Sequence, residues 1–154
     1  MNELDKPFTQ RRVLRFGDCD AAGVIYTPRA LVFAYELLES WYRDVAGASW
    51  GAMPESHGMN APTVHYEADY MAPLMVDTDY ELRLWVSGMG QSSVNFVIDG
   101  VGLDELLFFR IKVVSCFVSL AGGTRKSAPV PDDIRGRIQD FMDRTGTGPV
   151  EGLA

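Results

Sequence analysis

The chain has 154 residues, of which 47% are apolar and 23% are charged, and its formal net charge is −7 at pH 7. This composition indicates a single globular domain and excludes a disordered chain. The negative charge argues against a nucleic-acid partner, and no run reaches the ~20 apolar residues of a membrane span. Because the polar start MNELDKPFTQRR lacks the apolar segment of a signal peptide, we expect a cytoplasmic protein without a membrane partner.

The cysteine and histidine content limits the metal and redox chemistry. Cys19 and Cys116 are expected to be reduced thiols in a cytoplasmic chain, so no disulfide is predicted. With two cysteines and two histidines, and no close pair among them, the sequence does not predict a four-ligand zinc site.

An acidic loop separates the first predicted strand from a helix. Residues 1–9 are interpreted as a loose lead-in, and the alternation from Arg11 to Phe16 predicts a short strand. The loop FGDCDAAGVIYTP then places a carboxylate on each side of a thiol. Gly23 within it can adopt backbone angles closed to other residues, so the backbone there can approach a ligand closely.

A long helix is predicted directly after this loop. Thr27 occupies the position of an N-cap, and Pro28 suits the first helical position. From Arg29 to Val45 the apolar residues recur at helical spacing over a broad face, which predicts a largely buried helix. Gly47 is the expected C-terminal stop.

Most of the rest of the chain alternates with a period of two, which predicts strands. Residues 48–60 are interpreted as a connection with a short helical turn. The predicted strands are 61–70, Tyr80–Val86, Ser92–Asp99 and Glu105–Leu120, with a hairpin turn at DGVGLDE. Short turns between consecutive strands predict a mostly antiparallel sheet.

A short amphipathic helix from Pro131 to Arg144 closes the predicted single domain, which spans residues 1–154 with loose termini at 1–9 and 145–154. One apolar helix can cover only one face of such a sheet. The other face or an edge has to be covered by another subunit, so we expect a homo-oligomer.

The run FGDCDAAGVIYTP resembles the 4-hydroxybenzoyl-CoA thioesterase family of hot-dog proteins. The segment APTVHYEADYMAPLMVDT is similar to the family's second strand and turn, through Tyr70, Pro73 and Asp77, and FVSLAGGTRKSAPVPDDI is similar to the end of the last strand. These matches span residues 10–140. The resemblance implies an α+β hot-dog fold, in which a five-stranded antiparallel sheet wraps around one long helix with a short C-terminal helix.

The resemblance also implies that Asp20 is the catalytic carboxylate and that a backbone N–H near Thr27 holds the thioester oxygen, with Gly23 and Tyr26 completing the loop. The chemistry agrees, because a carboxylate can act as general base or as nucleophile, and both roles stay open for Asp20. The first turn of a helix offers unpaired N–H groups where negative charge develops.

Neighbouring candidates have simpler interpretations. Asp18 is expected to hold the loop through an Asx-type turn. Cys19 is a possible nucleophile, but the two adjacent carboxylates disfavour its thiolate. His65 is expected to be a hydrogen-bonded sheet histidine, with general base or substrate contact as the alternatives. His57 is expected at the surface.

Coenzyme A carries phosphates, so basic or hydroxyl groups should line the pocket mouth. Some family members carry basic residues in the turn where this chain has SGMGQSS, which is neutral. The candidates elsewhere are Ser92, Arg110, Lys112, Arg125 and Lys126, and each basic residue can equally belong to a solvated surface.

The sequence and its family resemblance therefore predict an acyl-CoA thioesterase without a metal or organic cofactor. The first expected substrate is an aromatic acyl group of the 4-hydroxybenzoyl type, followed by medium-chain aliphatic groups or a carrier-protein thioester. The resemblance implies a homotetramer built as a dimer of dimers, with the site between two subunits.

Tyr35, Trp41 and Tyr42 form an aromatic stripe that is interpreted as core, with a share in an acyl pocket as the alternative. Two other functions stay open: a noncatalytic acyl-CoA-binding protein, and an enoyl-CoA hydratase or dehydratase using His65.

Overall fold

The computed structural model describes residues 6–149, which form three α-helices and eight strands. The helices are α1 (Thr27–Asp44), α2 (Met53–His57) and α3 (Asp132–Thr145). The strands are β1 (Phe8–Val13), β2 (Met59–Asn60), β3 (Thr63–Tyr70), β4 (Asp79–Met89), β5 (Ser93–Gly102), β6 (Leu107–Cys116), β7 (Val118–Ser119) and β8 (Lys126–Ser127). None of the described helices is both long enough and apolar enough to span a membrane.

Five of these strands form one antiparallel sheet in the order β1-β4-β5-β6-β3. This confirms the predicted five-stranded sheet. The small sheet β2-β7-β8 was not predicted. It forms because the predicted strand 105–120 breaks at Phe117, whose N–H donates to the carbonyl of Ser92 at 2.7 Å.

Helix α1 supplies the centre of the hydrophobic core. Its buried residues are Ala30, Phe33, Ala34, Leu37, Leu38, Trp41 and Tyr42. The Trp41 ring meets Phe96 of β5 edge-on at 5.0 Å and Phe141 of α3 at 5.6 Å, so one side chain joins sheet, long helix and closing helix. The predicted packing of one long helix on the sheet is confirmed.

Two element boundaries differ from the sequence prediction. Thr27 is the first residue of α1 rather than its N-cap; the N-cap is Tyr26, which makes no side-chain capping bond. Strand β1 begins at Phe8, three residues before the predicted start, because each of its residues pairs in register with β4. The expectation of loose termini lies partly outside the described residues, at 1–5 and 150–154.

Strand β3 is the most exposed element of the sheet. Among the described strands it pairs only with β6, and every residue from 64 to 70 is exposed, including Val64, Tyr66 and Tyr70. An apolar edge of this kind is a ready template for pairing with another strand.

The sheet face opposite α1 carries charged side chains. Ile98 and Phe109 point into the core, so their neighbours Asp99 and Arg110 point to the other face. Arg110 donates from Nε and Nη2 to the two carboxylate oxygens of Asp99, each at 2.7 Å. Both side chains are nearly buried there, with exposed fractions of 11% and 6%.

Candidate active site

The acidic loop folds back on itself before entering α1. Asp20 N–H donates to the Val24 carbonyl at 2.8 Å, and Tyr26 N–H donates to the Asp18 carbonyl at 2.8 Å. The Ile25 N–H also donates to the Leu74 carbonyl at 2.9 Å, which fixes the loop beside the segment that follows β3. Gly23 has φ +75°, a left-handed conformation that favours glycine. These bonds hold Asp20 at the tip of a rigid turn.

The two carboxylate oxygens of Asp20 have different environments. Oδ1 accepts hydrogen bonds from the N–H of Ala22 at 2.8 Å and of Val24 at 3.4 Å. Within residues 6–149 no group donates to Oδ2, and the side chain is exposed. One oxygen therefore fixes the orientation of the carboxylate, while the other is available to a ligand.

The N-terminal turn of α1 is open next to this loop. Tyr26 provides no side-chain cap, Pro28 has no N–H, and the Thr27 N–H donates to no acceptor in the described part of the chain. The Tyr70 hydroxyl donates to the Thr27 carbonyl at 2.6 Å and anchors this turn to the end of β3. An unpaired amide at the positive end of a helix dipole suits a developing negative charge.

The other acid of the loop, Asp18, has a structural role of a different kind from the predicted Asx-type turn. Its Oδ1 accepts a hydrogen bond from Arg29 Nε at 2.8 Å and another from Arg29 Nη2, and its side chain is only 14% exposed. The prediction of an Asx-type turn at Asp18 was wrong because its partner lies on α1, eleven residues away. It is Asp20 that bonds to the loop amides.

Comparison with known proteins identifies the family. The sequence profile of the Thioesterase-like superfamily matches residues 14–138. The chain belongs to this superfamily. The predicted hot-dog fold and the predicted enzyme class, thioester hydrolase, are confirmed at this level.

Relatives of this thioesterase-like protein extend over most of its length. A protein of Synechococcus sp. (strain CC9605) is 30% identical over 148 residues, covering 92% of this chain and 93% of its own. One from Synechococcus elongatus is 27% identical over 139 residues, covering 88% and 94%. Both are named 1,4-dihydroxy-2-naphthoyl-CoA hydrolase, which is not the narrower 4-hydroxybenzoyl-CoA family of the resemblance. A crystal structure of a thioesterase superfamily protein from Jannaschia sp. CCS1 superposes with TM-score 0.77 at 27% identity, covering 88% of this chain and 92% of that one.

Cys19 is a poor nucleophile in this thioesterase-like protein. Burial raises the pKa of its thiol, and the carboxylates of Asp18, Asp20 and Asp77 raise it further. The Sγ atom donates to the Arg15 carbonyl at 3.4 Å. A thiol with a raised pKa supplies little thiolate near neutral pH.

Three predicted substrate-binding residues lie toward the start of β3, whereas Asp20 lies near its end. His65 is exposed, and its Nε2 is 3.2 Å from a Glu67 oxygen. Ser92 Oγ accepts a hydrogen bond from Ser127 Oγ at 2.9 Å, next to the loop that carries the exposed Arg125. From Thr63 to Tyr70 the strand spans seven residue steps, or roughly 23 Å, and from His65 it spans five steps, or roughly 17 Å, so a single chain does not bring this group to Asp20.

Two of the remaining candidate phosphate ligands, Arg110 and Lys112, lie on the sheet face opposite α1; the third, Lys126, is exposed in β8 next to Arg125. Arg110 is paired with Asp99, and this hydrogen-bonded pairing raises the pKa of the guanidinium. Lys112 is in register with Val97 on one side and Glu67 on the other. Neither residue is next to Asp20, and their roles in binding stay predictions.

Sequence reasoning missed two adjoining hollows beside β3. A hollow of about 340 Å³ is lined by Tyr35, Trp50, Asn60, Ala61, Pro62 and Thr63. We call it the inner hollow. A second hollow of about 410 Å³, the outer hollow, shares Tyr35 and Thr63 with it and continues along β3 to Val64, His65 and Tyr66. The sequence feature that could have indicated the inner hollow is Trp50, a large aromatic residue in a connection otherwise rich in small and polar residues.

No cluster of three or more histidine, cysteine or carboxylate side chains that could hold a metal ion occurs in the portion of the chain that the structure describes.

Proposed function

We propose that the protein hydrolyses the thioester of an aromatic acyl-CoA, with Asp20 acting on the thioester carbon and the Thr27 N–H holding its oxygen. The observation that carries this proposal is the free oxygen of Asp20 on a loop that leads into an uncapped helix turn. Membership of the superfamily supports the reaction class. The names of the relatives support coenzyme A as the carrier.

Two routes fit this geometry. As a general base, Asp20 takes a proton from water while the water oxygen bonds to the acyl carbon and the carbon–sulfur bond breaks. As a nucleophile, Asp20 itself bonds to the acyl carbon, and water then cleaves the mixed anhydride. In both routes the sulfur leaves as the thiolate and gains a proton. Negative charge develops on the carbonyl oxygen, where one preorganised amide typically contributes about 3 kcal/mol.

The inner hollow supports an aromatic acyl group. Its volume of about 340 Å³ suits an acyl group rather than a whole coenzyme A molecule. The Tyr35 and Trp50 rings that line it have centroids 6.3 Å apart, and Trp50 is backed by the buried Tyr42 ring at 5.5 Å. Such rigid aromatic walls pack well against a flat ring. The sequence resemblance favours 4-hydroxybenzoyl, and the relatives' names favour 1,4-dihydroxy-2-naphthoyl.

The site is proposed to need two copies of the chain. If the exposed stretch 64–70 pairs antiparallel with the same stretch of a second copy, centred on Glu67, Val64 of one copy lies opposite Tyr70 of the other. Tyr70 anchors the α1 N-terminus through Thr27, so each Asp20 then faces the hollows of the other copy. Ser92 and Arg125 of that copy approach the same cleft. Two such dimers would form the tetramer that the resemblance implies.

A charge placed on the β3 edge tests this assembly. In Tyr66→Lys, each new ammonium group would lie opposite Ala68 of the other copy, and the two would be diagonal neighbours on the same face of the paired strands; like charges there should raise the dimer dissociation constant by about tenfold. Sedimentation velocity should show monomer, and turnover should follow the dimer fraction. Gln10→Lys, on the exposed edge strand β1, is the matched control and should change neither. A Tyr66→Lys monomer with full turnover would contradict the shared site.

The reaction itself is tested by following thiol release from 4-hydroxybenzoyl-CoA, 1,4-dihydroxy-2-naphthoyl-CoA and a medium-chain acyl-CoA. We expect rapid release from an aromatic substrate. If thiol release stays at the background rate for all three substrates while they still bind, the protein is instead a noncatalytic acyl-CoA-binding protein. Water addition to an enoyl-CoA without thiol release would indicate a hydratase.

A further inference from the structure

The inner hollow is lined by a side-chain amide without a hydrogen-bond partner in the described part of the chain. Asn60 is half-buried in strand β2, where its backbone pairs with Val118 of β7. Among the residues from 6 to 149, none forms a hydrogen bond with its side chain. The neighbouring lining groups are mainly apolar or aromatic: Trp50, Ala61 and Pro62. An amide with two donors and an acceptor at such a place gains most from a polar group on a ligand.

The position of Asn60 shows which part of a ligand it can contact. Tyr35 and Thr63 line both hollows, whereas Asn60 lines only the inner one. The outer hollow follows the exposed side of β3, where a second copy would bring Asp20. An acyl group entering from that side presents its thioester to the outer hollow and its far end to the inner one. Asn60 therefore meets a substituent remote from the thioester.

We propose that Asn60 determines acyl specificity by hydrogen bonding to a ring hydroxyl at the end of the acyl group remote from the thioester. This inference rests on the proposed function and assigns a substrate class to the same site: hydroxylated aromatic acyl-CoA. A site that hydrogen-bonds a substrate hydroxyl discriminates against the analogue without it, because its own polar group is then left unpaired. Aliphatic acyl groups and unsubstituted aromatic rings have no hydroxyl that could form a hydrogen bond with Asn60.

Pairs of substrates that differ by a single hydroxyl test the inference. The first pair is 4-hydroxybenzoyl-CoA and benzoyl-CoA; the second is 1,4-dihydroxy-2-naphthoyl-CoA and 1-hydroxy-2-naphthoyl-CoA. For at least one pair, wild-type kcat/KM should favour the substrate with the extra hydroxyl by about tenfold or more, which corresponds to one net hydrogen bond. Asn60→Leu, of similar volume, should reduce that ratio to near one, mainly by slowing the hydroxylated substrate, and leave the other within about twofold.

Control variants separate specificity from folding. Asn95→Leu, at an exposed position on β5, should leave the ratio unchanged. If Asn60→Leu does not fold, Asn60→Ala gives the same readout, because extra space affects both members of a pair alike whereas loss of the amide affects only one.

The outcomes for the inference and for the proposed function differ. A wild-type ratio near one for both pairs, or a ratio that survives in the Asn60 variants, would overturn the role of Asn60 while leaving the thioesterase assignment intact. Absence of thiol release from every substrate would overturn the proposed function, and the inference with it.

Discussion

Replacing Asp20 by Asn is expected to lower kcat for the best aromatic acyl-CoA by about 10³-fold, the range found when a positioned acid–base group is lost. The amide oxygen can still accept the hydrogen bond that Oδ1 receives from Ala22 N–H, so the loop should keep its shape. An amide can neither take a proton from water nor attack the thioester. The effect should therefore fall on kcat, with KM changed much less.

Thiol-release kinetics and thermal unfolding of the purified Asp20→Asn variant test this result. The matched control is Asp104→Asn, because Asp104 also accepts a backbone N–H two residues ahead, from Leu106 at 3.2 Å, but lies in the β5–β6 hairpin. It should retain wild-type kcat. Turnover of Asp20→Asn within threefold of wild type would refute the assignment of the catalytic carboxylate.

Replacing Asp99 by Ala is expected to lower the free energy of unfolding by up to about 3 kcal/mol, because it removes both hydrogen-bond acceptors of the nearly buried Arg110 guanidinium. Denaturant unfolding gives this quantity directly. Turnover per folded molecule should not change, since Asp99 lies across the sheet from the proposed site. Asp79→Ala is the control: its 3.5 Å contact with Arg11 is exposed, and its removal should cost under about 1 kcal/mol.

A double variant of this ion pair distinguishes two roles for Arg110. As half of a buried ion pair, Arg110 should be replaceable together with Asp99: an Asp99→Val, Arg110→Leu double variant should recover most of the stability that Asp99→Ala loses. As a phosphate ligand, Arg110 would instead be needed for a low KM. A double variant that stays as unstable as Asp99→Ala would contradict the structural role, and a sharply raised KM for acyl-CoA at normal stability would show that Arg110 also binds the carrier.

Local sequence predicted the parts of the site that depend on neighbouring residues. The acidic loop, the helix after it and the candidate carboxylate Asp20 all lie within one continuous stretch of chain. The ion pair between Asp18 and Arg29 was not predictable, because it depends on how the loop folds back onto the first turn of α1. A strand pattern shows which residues share a face but not which strand lies beside it, so the Arg110–Asp99 pair was also missed.

The inner hollow was beyond sequence reasoning for a related reason. Asn60 belongs to a two-residue strand that exists only because β7 pairs with it. Trp50 reaches the hollow from a connection without a periodic pattern. Asn60 carries no local signal of its environment, and Trp50 differs from its neighbours only in being a large aromatic residue, whereas Tyr35 lies on a helix whose aromatic stripe already suggested both core and pocket.

The hydrogen bond from the Tyr70 hydroxyl to the Thr27 carbonyl joins the strand proposed to pair with a second copy to the amide proposed to polarise the substrate. Under this arrangement, the fraction of chains that are paired sets the fraction of complete active sites. Specific activity then depends on enzyme concentration: dilution below the dimer dissociation constant lowers turnover per chain without any inhibitor.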